Sequence, residues 1–257
     1  MPPTRPSIIA RLFTPAGSGT SNAVPPSTRL YVVGDIHGRA DLLRILHEAI
    51  VEDAADAPPR RVIVYLGDYV DRGAESSAVI EMLASGPPAG FEAVHLLGNH
   101  EAWLLDFLDD PDQGAGWIMN GGSATLLSYG VDAAGVSFQR DRLARARDEL
   151  RAKLPPAHLA FLRSLKLSHV EGDYLFVHAG IRPGVPLDRQ SADDLVWIRD
   201  EFLFSDADHG KVVVHGHTIV DEPEVLDNRI GIDTGAFATG RLTCLVLEGT
   251  TRRFVST

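Results

Sequence analysis

Residues 61–73, RVIVYLGDYVDRG, join an apolar run to a loop that carries three charged side chains. The run at 61–66 is typical of a buried β-strand, because it is short, rich in β-branched residues and ends at a glycine. Asp68, Asp71 and Arg72 come soon after it. A surface loop can hold such charges for solubility alone, so the meaning of this cluster depends on what the rest of the chain supplies.

The alternation of strand, loop and helix continues on both sides of this stretch. Strands are predicted at residues 29–33, 61–66, 91–97, 166–172, 173–178, 211–216 and 241–248, and helices at 40–53, 75–84 and 191–204. Repeated strand–loop–helix units are typical of a mainly parallel sheet. Because strands occur in both halves of the chain, we expect an α/β fold: two stacked mixed β-sheets flanked by helices, an α/β/β/α sandwich.

Composition and charge narrow the classes of protein. The chain has 257 residues, 44% of them hydrophobic, which is enough for one sizeable core. Its net charge of -11 argues against general nucleic-acid binding, which normally needs a basic face. No apolar run approaches the roughly 20 residues of a membrane span. We therefore expect a cytoplasmic protein that binds neither nucleic acid nor membrane.

The N-terminal segment differs from the rest of the chain. Residues 1–28 are rich in Pro, Ser, Thr and Gly and lack sustained periodicity, so we predict a disordered tail there. The predicted domain is 29–257, without an internal break. Cys244, the single cysteine, lies in a predicted strand and is expected to be a core residue.

Polar clusters follow five of the predicted strands, at the point where each strand ends. They are GDIHG at 34–38, GDYVDRG at 67–73, GNHE at 98–101, HAG at 178–180 and HGHT at 215–218. Each is a weak signal alone. In open α/β sheets, however, the ligand site lies beyond the carboxyl ends of the strands, so all five clusters can converge in one crevice.

This ordered set resembles the PPP-type branch of the calcineurin-like metallophosphoesterases, which includes serine/threonine protein phosphatases and symmetrical diadenosine tetraphosphatases. The resemblance runs from about Leu30 to Glu248, and residues 117–130, 196–202 and 232–242 look like the bacterial members in particular. It implies the calcineurin-like metallophosphoesterase fold. Many other enzymes of the superfamily have a histidine where this chain has Ile219, and its absence here counts against a nuclease.

The resemblance implies a pair of divalent metal ions. Asp35, His37 and Asp68 would hold the first ion, and Asp68 would bridge to a second ion that also takes Asn99, His178 and His217. Carboxylate, amide and imidazole ligands together suit manganese, iron or zinc, and we expect manganese. His215, two residues before His217, is taken as neighbouring structure.

The resemblance also implies roles for the remaining polar residues. A hydroxide held by the metals would attack phosphorus directly, and Arg72, Arg199 and Asn99 would stabilise the transferring group. Asp71 would orient His100, which would protonate the leaving oxygen. Glu101 is expected to support the site or the start of its helix.

The predicted activity is therefore metal-dependent hydrolysis of a phosphoester. Phosphoserine or phosphothreonine in protein is the expected substrate, and a phosphorylated small molecule remains open. The alternative enzyme is a symmetrical diadenosine tetraphosphatase that releases two ADP molecules. A catalytically inactive phosphate-binding module is the alternative from another class, and no partner protein can be identified.

Overall fold

The computed structural model of the protein describes residues 22–132 and 139–257. Its strands are β1 (Thr28–Val33), β2 (Arg60–Tyr65), β3 (Glu92–His95), β4 (Ser168–Glu171), β5 (Tyr174–Val177), β6 (Val212–His215), β7 (Glu224–Val225), β8 (Arg229–Gly231), β9 (Thr243–Glu248) and β10 (Thr251–Ser256). Its helices are α1 (Ala40–Asp53), α2 (Ser76–Ala84), α3 (Asn99–Asp109), α4 (Gly114–Trp117), α5 (Ser123–Ser128), α6 (Arg140–Lys153), α7 (Pro156–Arg163), α8 (Ala192–Trp197), α9 (Asp200–Leu203) and α10 (Ala236–Thr239). Within these ranges, no helix is both long and apolar enough to cross a membrane.

The described strands form two mixed sheets. In the first, the order is β10-β9-β1-β2-β3, with β1, β2 and β3 parallel and β9 antiparallel to both of its neighbours. In the second, the order is β4-β5-β6-β8-β7, and β5, β6 and β8 are parallel. The parallel strands at the centre of each sheet bring their carboxyl ends together at one edge.

The two faces of each sheet pack against different layers. In β1, Leu30 and Val32 point into a core shared with the second sheet, which contributes Phe176 and Val214. Alternate residues of the same strand, such as Tyr31, point instead into a core shared with the helices α1, α2 and α3. This period of two is the ordinary consequence of strand geometry. Helices α8 and α9 cover the outer face of the second sheet, so the predicted α/β/β/α sandwich is confirmed.

The predicted helix at 191–204 is wrong as a single element. The chain forms α8, leaves helical geometry at Ile198 and Arg199, and resumes as α9. Arg199 has φ -131° and ψ -100°, which no α-helix contains. The apolar spacing continues across the break, so periodicity alone did not reveal it.

The boundary of the predicted tail also needs correction. Residues 1–21 lie outside the described residues, so disorder there stays a prediction. Val24 is only 4% exposed and belongs to the core between the sheets, and its N–H donates to the carbonyl of Gly249 at 3.1 Å. Ala23 donates to the carboxylate of Asp173 at 2.9 Å. The ordered domain therefore includes residues 22–28, whose docking through backbone hydrogen bonds leaves no sequence pattern.

Candidate active site

The predicted metal ligands gather beyond the carboxyl ends of the parallel strands of both sheets. Asp35 and His37 follow β1, Asp68 follows β2, Asn99 begins α3 after β3, His178 follows β5 and His217 follows β6. All six side chains are buried, with exposures of 7% or less. Burial of so many polar groups is unfavourable unless they serve each other or a bound ion.

The backbone at this edge is strained. Of the six described non-glycine residues with positive φ, five lie here: His37, Asp68, Asp71, Arg72 and His217. Each such conformation costs on the order of 1–3 kcal/mol, and these costs cluster at functional sites. The folded structure therefore imposes these positions against local preference.

Glu101 holds the loop that carries most of this strain. Its carboxylate accepts four backbone N–H groups at 2.7–3.1 Å, from Asp68, Tyr69, Val70 and Gly98. A side chain added at Gly98 would collide with the Asp68 carboxylate, so only glycine permits this close approach. Glu101 therefore supports the loop that carries Asp68, as expected from the sequence.

Two clusters of potential metal ligands share the Asp68 carboxylate. The first is formed with His37 and His100, and the second with His178 and His217. His37 Nε2 lies 3.5 Å from one Asp68 oxygen, and His178 Nε2 lies 3.4 Å from the other. Both clusters are fully buried.

The histidines present lone pairs to this carboxylate. Nδ1 of His37 donates to the carbonyl of Val70 at 2.9 Å, and Nδ1 of His178 donates to that of Leu66 at 3.0 Å. Each Nε2 is then an acceptor that faces a carboxylate oxygen, an arrangement that a cation between them would stabilise. Nε2 of His217 is buried without a hydrogen-bond partner among the described residues. The residues therefore fit divalent metal ions.

The pKa values of these groups agree with that fit. Burial lowers the pKa of His37 to about 3 and that of His217 to about 2, and it also lowers the pKa of His178. Burial alone would raise the pKa of Asp68, but positive charge on any surrounding histidine lowers it, and the net shift is downward. Neutral imidazoles around an ionised carboxylate are the protonation states that bind metal.

Asp35 lies outside both clusters. Its two carboxylate oxygens accept the backbone N–H of His217 at 3.1 and 3.3 Å. Burial and the nearby charges of Asp233 and Asp68 raise the pKa of Asp35 well above its usual value. The structure thus places Asp35 beside the site, and its role as a ligand stays a prediction. Asn99 Oδ1 lies 2.9 Å from nitrogens of both His178 and His217.

Asp71 and His100 form a buried pair. The His100 Nδ1 lies 2.6 Å from Oδ2 of Asp71, which also accepts the Trp117 indole N–H at 2.8 Å. The other oxygen accepts the Thr125 hydroxyl at 2.6 Å. Burial lowers the pKa of His100, but the Asp68 and Asp71 carboxylates outweigh it and the net shift is upward. His100 therefore differs from the three neutral histidines around it.

The two predicted phosphate-binding arginines occupy different positions. Arg72 Nη2 lies 3.1 Å from Nε2 of His100, and its backbone N–H donates to the Gly121 carbonyl at 3.2 Å. Arg199 stands at the break between α8 and α9 and is exposed, with Nη1 3.3 Å from the hydroxyl of Thr218. This contact brings Arg199 next to Thr218, the residue that follows His217 in the chain.

Comparison with known proteins gives the family. A model of the calcineurin-like phosphoesterases matches residues 28–239. The chain belongs to this family. A serine/threonine-protein phosphatase 2 from Salmonella typhimurium is 29% identical over 222 residues, which cover 83% of this chain and 90% of the relative. A symmetrical bis(5'-nucleosyl)-tetraphosphatase from Aromatoleum aromaticum is 31% identical over 155 residues, which cover 60% of this chain and 45% of that relative.

Solved structures agree with the calcineurin-like fold. The crystal structure of a cold-active protein tyrosine phosphatase superposes with a TM-score of 0.56 at 17% identity, covering 90% of this chain and 81% of the other. At this identity the likeness concerns the fold alone. Calcineurin-like phosphoesterases hydrolyse phosphoesters at a dinuclear site of divalent metals, and the two clusters that share Asp68 suit such a pair.

Several residues around this calcineurin-like site were not assigned from the sequence. Trp117 and Thr125 bind Asp71, and Gly121 contacts the backbone of Arg72. All three lie in the stretch at 117–130 that carried the resemblance to bacterial members. Phe237 lies under the Arg72 guanidinium. Their partners are distant along the chain, so no local pattern announces these contacts.

Proposed function

We propose that the protein is a phosphatase for phosphoserine or phosphothreonine in proteins. The observation that carries this proposal is the buried Asp71–His100 pair beside the shared Asp68 carboxylate. The oxygen of a serine or threonine side chain is strongly basic when it leaves phosphorus. It therefore needs a proton, and a histidine held by a carboxylate is suited to supply it.

Two divalent ions would occupy the clusters that share Asp68, held by His37 on one side and by Asn99, His178 and His217 on the other. When bound, such a pair activates water and stabilises the oxygens of an in-line displacement. Asp35 completes the proposed ligand set. Manganese is the metal we expect, with iron or zinc as alternatives that suit the same donors.

The chain's own side chains would bind and protonate the substrate. Arg72 and Arg199 present guanidinium donors, which match phosphate oxygens in pairs. The Asn99 amide is the third proposed contact with the transferring phosphoryl group. In the structure Nε2 of His100 accepts a hydrogen bond from Arg72. Once Arg72 turns to the phosphate, Nε2 would be free to carry a proton and give it to the leaving oxygen, while Asp71 keeps Nδ1 occupied and the ring oriented.

Symmetrical cleavage of diadenosine tetraphosphate is the second candidate, because a relative of that name is 31% identical over 155 residues. The ADP that leaves in that reaction is far less basic than an alkoxide, so it gains less from His100. The Salmonella phosphatase is similar over 90% of its length and an asymmetrical bis(5'-nucleosyl)-tetraphosphatase over 88% of its own, so the choice between the candidates rests on the Asp71–His100 pair.

A substrate panel with added metal tests the proposal. Phosphoserine peptide, nitrophenyl phosphate and diadenosine tetraphosphate would be assayed after chelation and reconstitution with Mn²⁺. Inorganic phosphate from the peptide at the highest kcat/KM supports a protein phosphatase. Two ADP molecules from the dinucleotide as the best reaction would replace it with the tetraphosphatase. Phosphate binding without turnover of any substrate would indicate an inactive binding module.

A further inference from the structure

We propose that Phe237 is a positioning residue for phosphate binding, which holds the Arg72 guanidinium in place without occupying its N–H donors. This inference rests on the proposed phosphate-binding role of Arg72. The centre of the guanidinium lies 4.7 Å from the centroid of the Phe237 ring. A cation over an aromatic face is attracted by the ring quadrupole.

An aromatic partner suits Arg72 better than a carboxylate because Arg72 is proposed to bind phosphate. Among the described residues, Arg72 forms no ion pair with a carboxylate, and its guanidinium contacts His100 and the Phe237 ring. A carboxylate partner would neutralise the charge and take up the in-plane donors. An aromatic ring covers one face and leaves those donors available to phosphate oxygens.

The ring itself is fixed by the site and by its own short helix. It meets the His37 imidazole edge-on, with centroids 5.4 Å apart. Gly235, which directly precedes helix α10, has a left-handed conformation, and Arg39 donates to the carbonyl of Ala236 at 2.9 Å. Phe237 therefore contacts both His37, a predicted metal ligand, and Arg72, a predicted phosphate ligand.

The backbone of Arg72 is strained, but its side chain needs a further contact to be ordered. Its backbone has φ 67° and is tied to Gly121, a position where an added Cβ would strike Arg72. These contacts fix where the side chain starts. The long flexible stem beyond Cβ still has to be ordered, which costs rotamer entropy. Stacking on Phe237 orders it before phosphate arrives.

The first experiment measures the affinity for inorganic phosphate as a competitive inhibitor, together with KM and kcat on nitrophenyl phosphate. Phe237→Leu keeps apolar volume and removes the quadrupole, so we expect the inhibition constant and KM to rise together by roughly 3- to 30-fold. The loss in kcat should be smaller. Phe237→Trp should restore phosphate affinity. Phe91→Leu, at a ring that packs on Tyr31 in the helix-side core, is the matched control and should leave both constants unchanged.

A double-mutant cycle with Arg72→Ala separates this inference from the proposed function. If Phe237 acts through Arg72, Phe237→Leu should have little further effect on phosphate affinity in the Arg72→Ala background. Equal effects in both backgrounds would overturn the inference, as would an unchanged phosphate affinity in Phe237→Leu. If Arg72→Ala itself binds phosphate normally, the proposed role of Arg72 fails, and the inference fails with it.

Discussion

His100 should determine how strongly kcat depends on the basicity of the leaving group. If it protonates the leaving oxygen, its importance rises with the basicity of that oxygen. His100→Asn should therefore reduce kcat on a phosphoserine peptide by roughly 10²–10⁴-fold. On nitrophenyl phosphate, whose leaving group departs without a proton, the loss should be much smaller. Equal losses on both substrates, with metals still bound, would assign His100 to phosphate or metal binding instead.

Asp71→Asn is the companion change. It removes the charge that holds Nδ1 of His100 but leaves the Trp117 and Thr125 contacts partly intact. The same preference for nitrophenyl phosphate should appear more weakly, because the acid is loosened rather than deleted. Measured kcat for both variants on both substrates checks this order, and a larger effect of Asp71→Asn than of His100→Asn would contradict it.

Glu101 offers a test of the strained loop. Glu101→Gln replaces one of two acceptor oxygens with an N–H₂ group that faces backbone donors. Leaving about two of the four buried N–H groups without an acceptor should cost roughly 2–4 kcal/mol of unfolding free energy. Denaturant unfolding measures it, with Glu222→Gln at an exposed ion pair as the control. A stability equal to that of the control would show that the loop keeps its conformation without these hydrogen bonds.

The sequence identified the residues of the site but not the residues that hold them in position. The order of the clusters at strand ends was sufficient to locate Asp68, His178 and His217, because glycine and polar residues follow each apolar run. It did not reveal that Asp35 turns to the His217 backbone, or that Trp117 and Thr125 bind Asp71. Such contacts join residues far apart in the chain, and only the packing of the two sheets decides them.

Among the secondary-structure elements, the segment at 22–28 shows where sequence patterns fail. It contains one buried apolar residue, Val24, and its backbone also forms hydrogen bonds with Asp173, Gly249, Tyr174 and Arg60. Short strands such as β7 and β8 were missed for a similar reason, since two or three residues cannot display a period. The parallel strands β1, β2, β5 and β6 were predicted correctly because each contains at least three consecutive apolar residues and is followed by glycine or site residues.

Truncation tests the corrected boundary. Removing residues 1–21 should leave the melting temperature nearly unchanged, as expected of a segment without an apolar pattern. Removing residues 1–27 also exposes the site vacated by Val24 and should cost about 2 kcal/mol, a fall of several degrees in Tm. Val24→Asp in the shorter truncation provides a point-mutation check. Equal Tm values for the two truncations would place the boundary at β1 after all.

Helix α1 and strand β2 are joined by a contact that depends on pH. Nε2 of His47 lies 2.8 Å from the Tyr65 hydroxyl, and the Tyr65 ring stacks on His95. Burial lowers the pKa of His47 and of His95 to about 4, below the value of 6.5 for a free imidazole. Between these values the unfolded chain binds protons that the folded protein excludes.

Stability should therefore fall as pH decreases from about 6.5 to about 4, by up to about 1.4 kcal/mol per pH unit for each histidine. His47→Gln keeps a side chain able to reach Tyr65 and should remove the contribution of one histidine to this slope, while His95 and the buried histidines of the site keep theirs. Unfolding free energies measured between pH 7.5 and 4.5 check it. A slope identical to that of the unmodified protein would exclude His47 as its source.

At the scale of the whole molecule, the site lies where the two sheets meet. His37, Asp68 and Asn99 extend from the first sheet, whereas His178 and His217 extend from the second. A metal pair that shares Asp68 would link both layers of the sandwich. The link would also relieve the contacts between lone pairs of His37, His178 and the Asp68 carboxylate. Metal binding should therefore stabilise the entire domain, in addition to enabling turnover.

Thermal unfolding with chelator and with Mn²⁺ measures this linkage. At a free metal concentration of 100 times the dissociation constant, a ligand that binds only the folded state adds about 2.7 kcal/mol, or roughly 5–10 °C in Tm for a domain of this size. Chelation should lower Tm and abolish activity, and Mn²⁺ should restore both at least as well as Mg²⁺, since imidazole ligands disfavour the harder ion. Asp68→Asn should lose most of the Tm gain, because it weakens both clusters, whereas Asp148→Asn on the exposed face of α6 should keep it. If Asp68→Asn binds two metal ions and keeps the full gain, Asp68 does not bridge them, and another group has to link the sheets.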